Sequence, residues 1–182
     1  WDRTRRRFEE MDVYRAYERH FRDGVPWDET PFYARVVSEI EGGATRWGCR
    51  TRAAFDERCE QLDGLYEAIR TDGYRTQAEL RSSGATDPIQ GDHPVRGRER
   101  LKTERLKHEI AVNIGRDGEV LFSDGRNRLS IAKLLDLDAV PARVLRRHAG
   151  WQAVRDAYVR GEPVPDEHLD HPDLAGLDRG SR

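Results

Sequence analysis

The chain has 182 residues, of which 36% are hydrophobic and 36% are charged, and its 32 Lys and Arg against 34 Asp and Glu give a formal net charge of -2. This length fits one domain, or a small domain with a helical extension. The balance of charge excludes a surface that is basic throughout, so any contact with nucleic acid must come from a local patch. No run approaches the roughly 20 apolar residues that span a bilayer, and no secretory signal is visible. We therefore expect a cytoplasmic protein that binds no membrane.

The first part of the chain predicts a series of amphipathic helices. Apolar residues recur at three- and four-residue steps within residues 1–25, which predicts a first helix. A second helix is expected to begin at Thr30-Pro31, with Thr as the N-cap and Pro in the first position. A third runs from Thr51 to Gly73, and a short helical turn follows at Gln77 to Leu80. Residues 1–58 are predicted to be a helical extension that packs on the core.

The rest of the chain is predicted to hold the core, at residues 59–160, and a tail at residues 161–182. A loop inserted at residues 82–100 is rich in Gly, Pro, Ser and Asp and has no periodicity. The spacing of apolar residues from Trp151 to Tyr158 predicts a last helix. The tail is rich in Pro, Asp and Gly, so we expect it to be extended along the surface or disordered.

The most informative pattern follows the inserted loop. Alternating apolar residues at 110–122 predict two strands joined by a hairpin turn at Asp117-Gly118. The polar loop Ser123-Asp124-Gly125-Arg126-Asn127-Arg128 ends the second strand. Helical spacing resumes from Leu129 to Leu135, and Pro141 begins a further strand. The two cysteines of the chain have no metal-site spacing and are expected to be free thiols.

A basic, glycine-bearing loop between a strand and a helix is a place to bind an anion, because the helix N-terminus offers unpaired N–H groups and partial positive charge. Gly125 allows the backbone to approach a phosphate, and Arg126 and Arg128 can grip it with a planar guanidinium. Asn127 either donates to a phosphate oxygen or caps the helix. Ser130 either adds a hydroxyl to the site or is an ordinary surface serine.

Two carboxylates are candidates for chemistry beside this loop. Asp124 could hold Mg²⁺, orient Arg128 or form an ordinary salt bridge that braces the loop. Glu109, with His108 at the mouth of the first core strand, is a candidate general base for phosphoryl transfer or a metal ligand. Arg146-Arg147-His148 could form a second basic wall, although a histidine at the end of an element is more often a cap.

These residues also carry a resemblance. Asp124-Gly125-Arg126-Asn127-Arg128, then Ala132, then Leu135 to Val144 resemble the ParB/sulfiredoxin-like superfamily, in which a Gly-x-x-Arg loop opens a helix that precedes a Pro-containing strand. Leu62 to Gly73 is similar to the helix-then-Gly element that precedes the first strand pair of that superfamily. The resemblance covers roughly residues 60–148. It implies an α+β fold, with a small mixed sheet and packed N-terminal helices.

The resemblance also implies a function. The loop of that superfamily binds nucleotide phosphates, so Gly125 to Arg128 with Ser130 are expected to bind a nucleotide triphosphate or diphosphate, ATP or CTP, or another phosphorylated small molecule. The expected activity is nucleotide-dependent phosphoryl transfer, as in a kinase, or nucleotide hydrolysis, as in an NTPase, with Mg²⁺, Glu109 and Asp124. The alternative is a non-catalytic module that senses an anion or binds nucleic acid weakly and without sequence preference. That binding would use four arginines of the first helix: Arg3, Arg5, Arg6 and Arg7.

Two departures from the superfamily limit what is carried over. Partition proteins of the ParB type have a helix-turn-helix DNA reader after this core, whereas only roughly thirty residues follow His148 here. Sequence-specific DNA recognition is therefore not expected. Sulfiredoxins have a cysteine inside the loop, whereas Asp124 and Arg126 flank Gly125 in this chain. Sulfinic-acid reduction is therefore disfavoured.

Overall fold

The computed structural model describes residues 7–85, Ile89 and residues 109–180. Within these residues the α-helices are α1 (Asp12–Tyr17), α2 (Pro31–Glu41), α3 (Arg52–Asp72), α4 (Gln77–Ser82), α5 (Arg126–Leu134) and α6 (Ala149–Val159). The strands are β1 (Ala111–Ile114), β2 (Val120–Asp124) and β3 (Arg143–Arg147). Short 3₁₀ turns occur at Phe8–Glu10, Trp27–Glu29 and Asp166–His168, and a π-helical segment at Glu18–Arg22. The predicted α+β class is confirmed.

The described residues form two compact units. A helical unit contains residues 7–85, 89, 109–110 and 125–141, and a sheet unit contains residues 111–124 and 142–180. The boundary predicted between residues 58 and 59 lies inside α3. His108, the first six residues and most of the predicted loop at residues 82–100 lie outside the described residues.

The sheet unit contains a three-stranded mixed sheet in the order β2-β1-β3. Strand β1 runs antiparallel to β2, with Val112 opposite Phe122, and parallel to β3, with Val112 opposite Val144. The predicted hairpin turn is confirmed. Gly118 within it has a φ of 90°, and a Cβ atom there would lie 2.8 Å from the Trp151 ring. The turn therefore needs glycine both for its backbone conformation and for packing against Trp151.

The tail differs from the extended or disordered segment expected from its composition. Residues 160–180 follow a series of turns, and Leu174 is buried. The Asp173 carboxylate accepts hydrogen bonds from Arg147 Nε and Nη2 at 2.7 and 2.6 Å, and from Trp151 Nε1 at 2.9 Å. These specific partners lie on β3 and α6, far away in sequence, so local composition could not indicate them.

The helical unit confirms the predicted caps. The Thr30 hydroxyl accepts a hydrogen bond from Tyr33 N at 3.2 Å, and the Thr51 hydroxyl accepts one from Ala54 N at 3.2 Å. Gly73 ends α3 at the predicted position and with a positive φ of 78°, but its ψ of 172° lies outside the left-handed helical region expected of a C-cap glycine. Thr76, which the sequence analysis did not single out, caps α4 in a capping box with Glu79.

One hydrophobic core joins α1, α2, α3 and α5 within the described residues. Its most buried side chains include Tyr17 from α1, Phe32 from α2, Phe55 and Leu62 from α3, and Ile131 from α5. Burial of this apolar surface is the main term that holds these helices together. Helices α1 and α2, predicted as an extension, thus share a core with α3 and α5.

The first predicted helix is not continuous. Helix α1 passes at Glu18 into the π-helical segment, which ends before Gly24, where φ is 70°. Both cysteines, Cys49 and Cys59, are free and buried, as expected. Among the described residues, none of the helices has the length and apolar character needed to cross a membrane.

Candidate functional site

Helix α5 begins directly after a left-handed glycine, and that glycine follows the last residue of β2. Gly125 has φ 83° and ψ 30°. A Cβ atom at this position would lie 2.5 Å from the Glu109 carbonyl oxygen and 2.7 Å from Ile110 Cα. Because both neighbours are backbone atoms, they cannot move aside as a flexible side chain would. Glycine is therefore required here by conformation and by close packing.

The N-terminus of α5 differs from those of α2, α3 and α4, each of which has a threonine cap. Gly125 has no side chain with which to cap the helix. The first intrahelical hydrogen bond is donated by Leu129 N to the Gly125 carbonyl at 3.0 Å. The N–H groups of Arg126, Asn127 and Arg128 precede that bond and carry the partial positive charge of the helix end.

Arg126 is exposed at the first position of α5. Its Cζ lies 5.4 Å from the centroid of the Trp47 ring, within the range of a cation–π contact. No carboxylate pairs with Arg126 among the described residues. Its positive charge therefore adds to that of the helix N-terminus. Trp47 was not singled out as a site residue by the sequence analysis.

Arg128 is only 4% exposed, and its role is in part structural. Its Nη1 donates to the Arg75 carbonyl at 3.1 Å, and its Cζ lies 5.4 Å from the centroid of the Tyr74 ring. Burial raises the pKa of the Tyr74 phenol. The contacts tie α5 to the segment that follows α3. Neither Tyr74 nor Arg75 was predicted as a partner, because the contact joins residues 53 positions apart.

Two further predicted residues, Asn127 and Ser130, are placed on one face of α5 by their three-residue spacing. Asn127 Oδ1 and Ser130 Oγ are buried and have no hydrogen-bond partner. Ser130 is fully buried, so the alternative of an ordinary surface serine is wrong. A buried polar atom without a partner is uncommon in a folded protein and is a point where water or a ligand atom would be favourable.

The two predicted carboxylates are in different settings. Glu109 Oε1 accepts a hydrogen bond from Gln77 N at 2.6 Å, at the first residue of α4, where a negative charge is favourable. Asp124 is exposed and belongs to the sheet unit, opposite Ala111. The described parts of the chain contain no group of three or more His, Cys, Asp or Glu side chains that could hold a metal ion. The assignments of Glu109 as a base and of Asp124 as an Mg²⁺ ligand stay predictions.

Two of the three basic residues at the end of β3, Arg147 and His148, have structural partners within the sheet unit, whereas Arg146 is exposed. His148 is the N-cap of α6, and its Nδ1 accepts a hydrogen bond from Gly150 N at 3.0 Å. Arg147 forms the bidentate ion pair with Asp173 described above. His148 thus has the capping role that is usual for a histidine at the end of an element.

No family profile, curated protein or solved structure matches this chain. The likeness to the ParB/sulfiredoxin-like superfamily therefore stays an expectation that rests on the residues from Asp124 to Val144 and from Leu62 to Gly73. The site has three features of its own: a helix whose N-cap has no side chain, a glycine in close contact with the backbone of Glu109 and Ile110, and the exposed Arg126.

Proposed function

We propose that the first turn of α5 binds the phosphate groups of a nucleotide or of another phosphorylated small molecule. The observation that carries the proposal is the exposed Arg126, which has no acidic partner among the described residues and stands at the first position of a helix whose N-cap has no side chain. A full positive charge and the positive end of the helix dipole then act on the same anion.

Each residue of the turn has a role in this proposal. Gly125 allows the backbone of Glu109 and Ile110 to lie close to the start of the helix. The N–H groups of Arg126 and Asn127 donate to phosphate oxygens, and the Arg126 guanidinium offers a planar pair of donors. Arg128 stabilises the turn through the hydrogen bond that its guanidinium donates to the Arg75 carbonyl. Asn127 Oδ1 and Ser130 Oγ, buried on the same helix, have no hydrogen-bond partner.

Binding, rather than catalysis, is the part of the predicted function that this geometry supports best. Phosphoryl transfer needs a group that accepts the proton of the attacking hydroxyl. Oε1 of Glu109, the predicted base, accepts a hydrogen bond from Gln77 N at the start of α4, which gives this carboxylate a structural role. Asp124 is a single exposed carboxylate and does not by itself make a cation site.

Thermal unfolding with a ligand panel tests the proposal. A ligand that binds only the native protein at one hundred times its Kd adds about 2.7 kcal/mol to stability. We expect ATP, CTP, ADP or pyrophosphate to raise the Tm of the wild type, with and without Mg²⁺. Arg126→Ala should remove most of this shift, because a charge-assisted bidentate contact contributes about 1.5–3 kcal/mol.

Arg52→Ala is the matched control. Arg52 is also the first residue of its helix, and its Cζ also lies over an aromatic ring, 5.7 Å from the centroid of Tyr33. Arg52→Ala should keep the ligand-induced shift. Equal losses in the two variants, or no shift in the wild type with any member of the panel, would contradict the proposed site.

A separate measurement addresses catalysis. Release of inorganic phosphate from ATP and CTP is followed for the wild type and for Glu109→Gln, in which the amide oxygen can still accept from Gln77 N. Hydrolysis that disappears in Glu109→Gln while ligand binding persists would extend the function from binding to catalysis.

A further inference from the structure

We infer that Trp47 is a positioning residue of the phosphate site. Its indole ring contacts the Arg126 guanidinium through a cation–π interaction and leaves the guanidinium N–H groups available to the ligand. The inference rests on the proposed function, because it assigns a role in binding the same anion. It adds a residue far from the loop in sequence, on the link between α2 and α3.

The backbone at Trp47 is the first observation. Arg46 N donates to the Cys49 carbonyl at 3.0 Å, and Cys49 N donates to the Arg46 carbonyl at 2.7 Å, which closes a two-residue turn. Both central residues are left-handed, with φ 56° at Trp47 and 78° at Gly48. Asn or Gly is the usual choice at the first of these positions, and a bulky side chain there is strained. A tryptophan kept in this conformation points to a use for its ring.

The ring is also fixed in place. Its centroid lies 5.2 Å from that of Phe32, with the planes at 81°, and Phe32 is buried in the core of the helical unit. An edge-to-face contact with a buried ring gives the half-buried indole a defined orientation. The Arg126 Cζ, 5.4 Å from the indole centroid, is therefore held over a rigid surface.

The chemistry of the contact explains why an aromatic ring is suited to this position. A carboxylate would occupy the N–H donors of the arginine and neutralise its charge. A ring attracts the cation through its face and uses none of the donors. None of the described residues accepts a hydrogen bond from the Arg126 side chain. Its fork of donors thus stays available for phosphate oxygens.

The comparison with Arg52 supports this role. Arg52 lies over Tyr33 in a similar way, but its Nε donates to the Tyr33 hydroxyl at 3.2 Å, and Thr51 caps its helix. The guanidinium and the helix N-terminus both have partners there. At α5 the corresponding guanidinium rests on a ring with no hydrogen-bonding group on its face, and the N-cap has no side chain.

A double-mutant cycle tests the inference. Dissociation constants for pyrophosphate, ATP and CTP are measured by calorimetry for the wild type, Trp47→Gly, Arg126→Ala and the double variant. Glycine tolerates the left-handed turn, so the substitution removes the ring without adding backbone strain. We expect Trp47→Gly to weaken binding about two- to fivefold, the range of an exposed cation–π contact, and to have no further effect in the Arg126→Ala background.

The outcomes separate the two proposals. If Arg126→Ala loses binding and Trp47→Gly does not, or if Trp47→Gly has the same effect in both backgrounds, Trp47 has no positioning role and the phosphate site stands. If the wild type binds none of the three ligands, the site itself fails. Should Trp47→Gly not fold by circular dichroism, Trp47→Phe serves instead. Its poorer ring should weaken binding by a smaller factor, again only when Arg126 is present, and unchanged binding would overturn the inference.

Discussion

At the scale of single residues, the place of Gly125 between a strand and a helix predicts a turn at this position. It does not predict why the turn requires glycine. The structure supplies that reason as a backbone approach from Glu109 and Ile110. These neighbours precede Gly125 by a whole hairpin, so only the folded chain brings them together.

Gly125→Ala is expected to destabilise the protein for two reasons. A left-handed alanine costs about 1–2 kcal/mol, and overlap with the backbone adds about 1–3 kcal/mol more. Gly43→Ala is the control, because Gly43 also has a positive φ of 91° but no atom within 4 Å of a Cβ. Urea unfolding of both variants measures the difference. Equal losses would show that the overlap at Gly125 relaxes without cost.

A second residue-scale feature is the pair formed by His20 and Asp63. His20 Nδ1 lies 2.8 Å from the Val25 carbonyl, and Nε2 lies 3.1 Å from Asp63 Oδ1, which also accepts from Trp27 Nε1 at 2.8 Å. Both ring nitrogens face acceptors, so only the doubly protonated imidazolium satisfies both contacts. Burial lowers the pKa of His20, but the hydrogen bonds to Asp63 and Val25 outweigh it and raise the pKa above the ordinary 6.5.

This pair predicts a pH dependence of stability. Because the pKa in the folded state is raised, the extra stability is fully present below the ordinary value near 6.5 and is lost as the pH rises through the folded-state value. Asp63→Asn keeps an acceptor for Trp27 and removes the charge. The difference in unfolding free energy between the wild type and Asp63→Asn should shrink as the pH rises from 6.5 through the folded-state pKa of His20. A difference that stays constant with pH would show that His20 is neutral in the native protein.

At the scale of elements, the local signals were sufficient where the determinants are local. Thr30, Thr51 and Gly73 mark helix ends through hydrogen bonds and backbone conformations that involve only near neighbours. The π-helical segment after α1 was not predicted, because apolar spacing cannot distinguish one extra residue in a turn from a regular helix. The left-handed conformation of Trp47 was not predicted either, because bulky residues rarely adopt a positive φ.

The tail is the element for which composition gave the wrong expectation, and Asp173 is the residue that orders it. Asp173→Ala should lower the unfolding free energy by about 2–4 kcal/mol, because it leaves the Arg147 charge and the Trp151 N–H without their partner. It should also speed proteolytic cleavage within residues 161–180. Asp170→Ala, at an exposed position, is the control. If the two variants unfold and are cleaved alike, the ion pair does not hold the tail.

At the scale of the whole molecule, alternation, turn residues and helical spacing predicted the separate strands and helices, whereas the resemblance implied the α+β class and the small mixed sheet that the structure has. The division into units does not. Helix α3 crosses the predicted boundary, and α1 and α2 share a core with α3 and α5. The loop from Gly125 to Arg128 could be singled out from the sequence, and its phosphate-binding role stays a proposal. Trp47, Tyr74 and Arg75, which contact its arginines, are long-range neighbours that periodicity cannot reveal.

The most direct test of the account is a titration of the ¹⁵N-labelled protein with pyrophosphate and with ATP, followed by backbone amide resonances. We predict that the amide signals of Arg126 and Asn127 move most and saturate with one common dissociation constant, since these N–H groups precede the first hydrogen bond of α5. Arg126→Ala should shift that constant upward. Signals that stay in place at the start of α5 while others respond, or a spectrum unchanged by either ligand, would contradict it.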